Sequence, residues 1–403
     1  MPGKKYYSYN RGSYHGGYCR SGYGHYGRKR VSAWKIILIT LLCVAAAGGG
    51  VAACAYFGVF GDALRFGQPD VVQESAASAV SKAPEPSAQS SQTSVQPSQA
   101  PAEKEKPEGK WVENVFVYDK KGYELFNENK EAAADYVKAL SSMRKELGDN
   151  VAVYCLVAPS HALYGLPAEE QGSSDEKKSI ETLYASLDQG IHRVNVADAL
   201  EKQKQKYIYF GTDTNWTALG AYYAYGVFCK EAGLQAVALN SLSSGQIKGF
   251  KGSLHAATKT EEHPDGAPEL DQNPDTVVYY KTQGYCRLLE NGEKEDREVP
   301  MIAEFASGPN AYSAFIWGNN PYMKIETNLG TKRKLCIIKD SFGCAFAPFT
   351  AANFDEIMVV DPAYYEGNIV EYIKKNQYTD VLVLNSSATA NNSERVRELK
   401  TIL

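Results

Sequence analysis

The chain is poor in the residues that most often carry chemistry. Its 403 positions hold six histidines, scattered so that none makes a ligand-spaced pair with a cysteine or an acid. No metal site is therefore legible, and no cofactor motif is present. The eight cysteines include no Cys-x-x-Cys. Three (Cys19, Cys43, Cys54) precede residue 61, and the five that remain (Cys155, Cys229, Cys286, Cys336, Cys344) are an odd number, which argues against a complete disulfide framework. Cys155 and Cys336 lie in apolar runs and read as buried small hydrophobes. Acidic residues are absent before Asp62, where eight basic ones stand: Lys4, Lys5, Arg11, Arg20, Arg28, Lys29, Arg30 and Lys35. Those eight charges, set against −4 for the whole chain, leave −12 for the rest. So acidic a remainder should repel phosphate, which argues against a nucleic-acid binder.

The basic head, residues 1–35, alternates Tyr, Gly, Ser, Arg and His and cannot bury a core. It reads as a cytoplasmic tail that sets topology, with contact to anionic lipid or a cytoplasmic partner as the alternative. Residues 36–60 are apolar but for Thr40 and glycines. At about 1.5 Å per residue this run exceeds a bilayer's hydrocarbon core, so one spanning helix fits. The positive flank places the N-terminus in the cytoplasm and everything after the helix outside. A cleaved signal peptide competes with this reading, because Gly48-Gly49-Gly50 shortens the strongly apolar part. Val51-Ala52-Ala53-Cys54 also loosely resembles a lipobox, which would lipidate Cys54. Against both, Ala55-Tyr56-Phe57-Gly58-Val59-Phe60 continues the apolar run, so an uncleaved anchor is the expectation. Residues 61–110, rich in Ser, Pro, Ala and Gln, form a disordered linker long enough to hold a domain clear of the bilayer.

The folded part is expected over 111–403. Val115–Tyr118 is a short strand and Asn129 caps a helix running to Leu147. Val151–Pro159 is a continuous apolar strand, the type buried on both faces of a parallel sheet. A helix over 174–187, a strand over 191–195 and a short helix over 196–203 follow. Residues 241–330 read as irregular, with strand candidates at 276–280, 285–288 and 311–316 that form an insertion or a small antiparallel layer. Alternation then returns: strand 335–338, helix or turn 342–352, strand 356–361, helix 368–376, strand 381–385. This order implies an α/β fold, a parallel sheet flanked by helices, with its site at the carboxyl ends of the strands. Ser160-His161, Asp340-Ser341 and Asp361 fall at those ends.

Two stretches carry candidate chemistry. Tyr207–Phe210 feeds the polar turn Gly211-Thr212-Asp213-Thr214-Asn215-Trp216-Thr217, and a small/aromatic helix leaves it. The Asp and Thr either form a site or merely cap that helix. Lys339-Asp340-Ser341-Phe342-Gly343 follows an apolar strand and ends in a turn glycine. Ser341 is either an exposed nucleophile beside backbone N–H donors, or a helix cap.

Tyr209-Phe210-x-Thr-Asp-x-x-Trp-Thr-x-x-Gly-Ala-Tyr-Tyr-Ala-Tyr resembles the signature of the bacterial DHHW proteins. These are extracytoplasmic SGNH-hydrolase-like relatives of proteins that O-acetylate alginate and similar polysaccharides. The segment from Lys339 to Gly343, trailed by Val360-Asp361-Pro362-Ala363-Tyr364-Tyr365, resembles their nucleophile block, and Tyr312–Pro321 the loop before it. The likeness runs from about Trp111 to Ser387. It implies a permuted SGNH fold, with Ser341 as nucleophile and Asp213 as the acid that orients the base. The base should stand at position 215, and this chain has Asn215. Where relatives read Gly-Asn-His-Pro, it has Asn319-Asn320-Pro321, so a second histidine is missing too. Thr212, Trp216, Asn319, Asn320 and Asp340 are candidate binding residues.

An amide does not titrate near pH 7 and cannot shuttle the serine proton. The resemblance therefore implies O-acetyl transfer or ester cleavage on cell-envelope polysaccharide with weak or lost activity. The alternative is a non-catalytic glycan-binding scaffold that works with a membrane-bound O-acyltransferase. His161 is a candidate substitute base, His255 a weaker one, and His192 reads as structural within an apolar strand.

Overall fold

The parallel core follows from three strands that are apolar on both faces. In the computed structural model, residues 108–261, 264–288 and 297–403 are described. The tail, the apolar run at 36–60, Cys54 and the linker as far as 107 lie outside the described residues. Among those described, no helix is long and apolar enough to cross a membrane.

Strands β1 (Lys110–Val112), β2 (Val115–Tyr118) and β3 (Lys121–Tyr123) make a small antiparallel sheet. Helix α1 (Lys130–Leu147) follows, with the Asn129 side chain accepting from the Ala132 amide as a cap. That cap contributes about 1 kcal/mol. Burial of Tyr136, Leu140 and Met143 contributes about 1.5–3 kcal/mol per large side chain, so packing rather than capping holds the helix. Strand β4 (Ala152–Ala158), helix α2 (Glu176–Ser186) and strand β5 (Ile191–Arg193) come next, then helix α3 (Ala218–Glu231).

Strands β6 (Ser243–Phe250) and β7 (Asp275–Lys281) pair with each other alone. After them come β8 (Tyr285–Leu288), β9 (Arg297–Pro300), β10 (Tyr322–Glu326), β11 (Lys334–Lys339), helix α4 (Phe342–Thr350), β12 (Glu356–Val360), helix α5 (Ile369–Lys375), β13 (Asp380–Ser386) and helix α6 (Ser393–Ile402). The main sheet has eight strands in the order β5-β4-β13-β11-β12-β10-β8-β9. The first five are parallel, and the last three are added antiparallel.

Alternate residues of the central strands face opposite layers, as the two-residue period of a strand requires. Leu335, Ile337, Leu382 and Leu384 join the aromatic layer of α3 and α4, whereas Cys336, Ile338, Val381 and Val383 join the layer of α1, α2, α5 and α6. Both faces are covered, which explains the unbroken apolar strands. The five cysteines of this region are all buried and unbridged.

The stretch from 241 to 330 departs from expectation. Three of its strands extend the main sheet instead of forming a separate layer. Residues 311–316 are not a strand: Gly308–Ala314 is a 3₁₀ helix with Pro309 in its first turn. Its buried Ala311 and Ala314 are three apart, the period of that helix. A short apolar run does not distinguish the two conformations by periodicity. His192 is exposed on β5 and stacks on Tyr154 at 4.9 Å, a surface position and not an interior one.

Candidate active site

Parallel pairing brings the carboxyl ends of β4, β13, β11 and β12 to one edge of the sheet, and Ser341 emerges there two residues after β11. It occupies the cap position of α4, but its side chain makes no capping bond. Instead the Ser341 hydroxyl donates to Asn215 Oδ1 at 2.9 Å. Asn215 Nδ2 in turn donates to Asp213 Oδ1 at 2.7 Å, and the Asn215 amide N–H donates to the same oxygen at 2.9 Å. The second carboxylate oxygen of Asp213 accepts from the Ser253 amide at 2.8 Å. The capping alternative thus applies to Thr217, which accepts from Gly220 N, and not to Asp213 or Ser341.

The direction of this chain of bonds is dictated by chemistry. An ionised carboxylate only accepts, so the NH₂ end of Asn215 must face Asp213 and its carbonyl must face the serine. Ser341 is therefore held as a donor to a neutral oxygen. Asp213 and Asn215 are buried and Ser341 is half-buried, so the hydroxyl is the accessible end of the relay.

The two sequence blocks meet through Trp216. Its indole, fully buried, donates to Phe342 O at 2.9 Å and packs edge-on against the Phe342 ring. Tyr312 adds a second tie, donating to Ser341 O at 2.9 Å, with burial holding its phenol well above the ordinary range.

Asp340 serves the backbone. It accepts from Phe342 N at 3.0 Å and Ser386 N at 2.7 Å, while burial raises its pKa against the opposing effect of those bonds. Gly343 N is taken by Asp340 O. Two amides expected to be free at the helix start are thus spent on Asp340. The Ser341 N–H has no hydrogen-bond partner among the described residues.

Beneath the turn lies a fully buried cation. Lys339 Nζ donates to Asp361 Oδ2 at 3.0 Å and Asn319 Oδ1 at 2.8 Å. Burial works to lower its pKa, but the Asp361 charge outweighs that and the value is raised. Asn319 also accepts from Cys344 Sγ at 3.2 Å, and burial pushes that thiol upward, so it stays protonated at neutral pH. Among the described residues Asn320 donates only within its own turn, to Ile316 O, Trp317 O and Gly318 O. Thr212 is fully buried and donates to Asp275.

Asp275 was not legible in the sequence. It opens β7, accepts from Gly211 N at 2.9 Å, Thr212 N at 2.7 Å and Tyr207 OH at 2.6 Å, and so fixes the turn that presents Asp213. An acid before an alternating strand was the only signal. Gly252 is a second such residue, since a Cβ there would collide with the Asp213 side chain. Gly252→Ala should displace that carboxylate and lower stability by about 1–3 kcal/mol, read as a fall in the urea midpoint.

The remaining histidines stand apart from this relay. His255 is buried and bonds to Asp265 O at 3.0 Å and Asp271 Oδ1 at 3.2 Å. His161 lies between Tyr123 (4.6 Å) and Tyr209 (5.2 Å), and none of its contacts among the described residues is with Ser341 or Asn215. Burial, with the Lys121 charge, lowers its pKa to about 3. Its unfolded imidazole takes a proton below about 6.5 while the folded one does not, so stability falls as pH drops through that window. Between pH 6.5 and 5 the wild type should lose about 2 kcal/mol more than His161→Phe, measured by denaturant unfolding at each pH. Equal losses would contradict the burial of a neutral ring.

Comparison with known proteins places this geometry. The family model described as DHHW protein matches residues 86–360, more than half of the chain. The chain belongs to the DHHW family. It is similar to the solved structure of a DHHW family protein from Eubacterium siraeum, with 28% identity and a TM-score of 0.65, over 74% of this chain and 99% of that one. PatB1 from Bacillus cereus, solved with a sulfonyl adduct, is 16% identical with a TM-score of 0.57, over 70% of this chain and 96% of that one. A second PatB1 structure from Bacillus cereus gives 0.58 at 15% identity, over 74% of this chain and 100% of that one. At such identity the likeness to PatB1 concerns the fold, which is the SGNH-like α/β sheet. No functionally curated protein matches the chain. Within the DHHW frame, Asn215 stands in the bonding position between acid and serine where a base was expected.

Proposed function

We propose that this DHHW protein is a membrane-anchored, extracytoplasmic protein that engages cell-envelope polysaccharide at the Ser341 site, with serine acyl-transfer chemistry weakened or lost. One observation carries the reading: Ser341 donates to Asn215 Oδ1, and Asn215 Nδ2 donates to Asp213. The relay has the connectivity of a serine–base–acid triad, but its middle member cannot titrate.

In an acetyl transfer the Ser341 oxygen attacks the ester carbonyl, the bond from that carbon to the donor's alkoxide oxygen breaks, and the hydroxyl proton must reach the alkoxide. An imidazole would take that proton and return it. Asn215 offers only an oxygen that accepts a hydrogen bond, so the proton must pass through water or a substrate hydroxyl. Loss of the histidine alone in a triad costs on the order of 10⁶ in rate. The amide N–H of Ser341 remains as an oxyanion donor and supports residual stabilisation.

Trp216, Thr212, Asp275 and Asp340 keep the frame in place although the base is absent, which favours a site retained for binding. The N-terminal apolar run would anchor it, and the linker would let the domain reach the wall beside a membrane-bound O-acyltransferase. The test is binding of purified envelope polysaccharide by the wild type and by Ser341→Ala, with ester hydrolysis followed in parallel. Equal binding and hydrolysis near background for both is the expected result. Fast wild-type hydrolysis that Ser341→Ala abolishes would make the protein a competent esterase instead.

A further inference from the structure

A cavity of about 290 Å³ lies away from the serine relay, with none of Ser341, Asn215 and Asp213 in its wall. Lys121, Lys204 and Lys206 line it together with His161. Lys204 is compensated by Glu201 at 2.6 Å, and Lys206 donates to the neutral Tyr223 hydroxyl at 2.8 Å. The Lys121 side chain has no ion-pair or hydrogen-bond partner among the described residues. Two cations are therefore left without a counter-charge at one cavity, which favours an anion there.

Gly165, Gln205 and Ile208 also line it, and the remaining side chains are aromatic, from Tyr164, Tyr207 and Tyr209. Their hydroxyls are already spent: Tyr164 donates to Ala197 O at 3.1 Å, Tyr207 to Asp275 at 2.6 Å and Tyr209 to Pro159 O at 2.6 Å. What these residues offer a ligand is ring surface. His161 completes the wall. It is nine-tenths buried, sandwiched between Tyr123 and Tyr209, and its Nδ1 is a buried atom with no hydrogen-bond partner. Aromatic surface, the Gln205 amide and unpaired positive charge suit a ligand with an apolar face, hydroxyls and an anionic group.

We propose that this cavity binds a single sugar ring carrying one anionic group, a carboxylate or a phosphate, at a place separate from the Ser341 relay. Lys121 holds the anion, the tyrosine rings face the sugar, and the Gln205 amide hydrogen-bonds a ring hydroxyl. The site does not depend on whether Ser341 turns over an ester. It would give the protein a second hold on an acidic envelope glycan.

The test is calorimetric titration of the full-length protein in detergent micelles with glucuronate, glucose 6-phosphate and glucose. The charged sugars should bind and glucose should not, and whichever anion binds more tightly identifies the source. Lys121→Gln, a change at an exposed side chain, should weaken the charged sugar about tenfold. Added salt should weaken it further. Gln205→Ala should also weaken it, whereas Ser341→Ala should leave it unchanged and so separates this site from the acyl-transfer reading. Binding of glucose equal to that of the charged sugars, indifference to Lys121→Gln, or no heat at millimolar sugar would overturn the proposal.

Discussion

Asn215→His should raise the rate of activated-ester hydrolysis by on the order of 10²–10⁴ over wild type, the contribution of a positioned general base. The expectation rests on the partners already waiting at that position. Asp213 Oδ1 accepts from both the side chain and the amide of residue 215, and its other oxygen is fixed by Ser253 N. An imidazole there would donate one N–H to the carboxylate and turn its other nitrogen toward Ser341, whose hydroxyl now lies 2.9 Å from the Asn215 carbonyl. The new activity should fall as pH drops through the imidazole's titration range, because the protonated ring cannot accept the serine proton. Any wild-type rate should lack that step. A wild-type rate that already shows the histidine-like step would place a base elsewhere.

The second large effect concerns the buried pair under the nucleophile turn. Asp361→Asn should cost about 3–5 kcal/mol, because it leaves the Lys339 ammonium buried without a counter-charge. The double variant Lys339→Met/Asp361→Leu should recover most of that loss, since removing both charges also removes their desolvation. The pH sign follows from the raised pKa of Lys339: the stabilisation is complete below the ordinary lysine value and is lost only as pH rises through the higher folded value. Denaturant midpoints of the three proteins at neutral pH check this. If Asp361→Asn unfolds like the wild type, water must reach the lysine and the buried pair is not formed.

Much of the architecture was legible because it is written in periodicity. The apolar runs at 151–159, 335–338 and 381–385 became β4, β11 and β13, and Asn129 caps the helix it precedes. The middle of the chain was not, since whether a short strand joins the main sheet or a separate layer depends on long-range pairing. Gly343 shows a subtler limit. It reads as a turn glycine, yet it sits in α4 without a positive φ. Its missing Cβ leaves room for the Lys339 side chain, a tertiary reason that local sequence does not carry. Likewise Asp340 looks like a ligand-facing acid but is spent on the amides of Phe342 and Ser386. The residue at 215 was the opposite case: set against the DHHW signature that the chain resembles, an Asn there announced the missing base, and the structure adds that the amide fills the base's bonding position.

Intact-mass analysis after brief exposure to an activated acetyl ester tests the central claim most directly. Wild type should carry no acetyl group on Ser341, whereas Asn215→His should gain one there and lose it again when Ser341→Ala is added. A wild-type protein that is rapidly acetylated on Ser341, with no gain from Asn215→His, would contradict it.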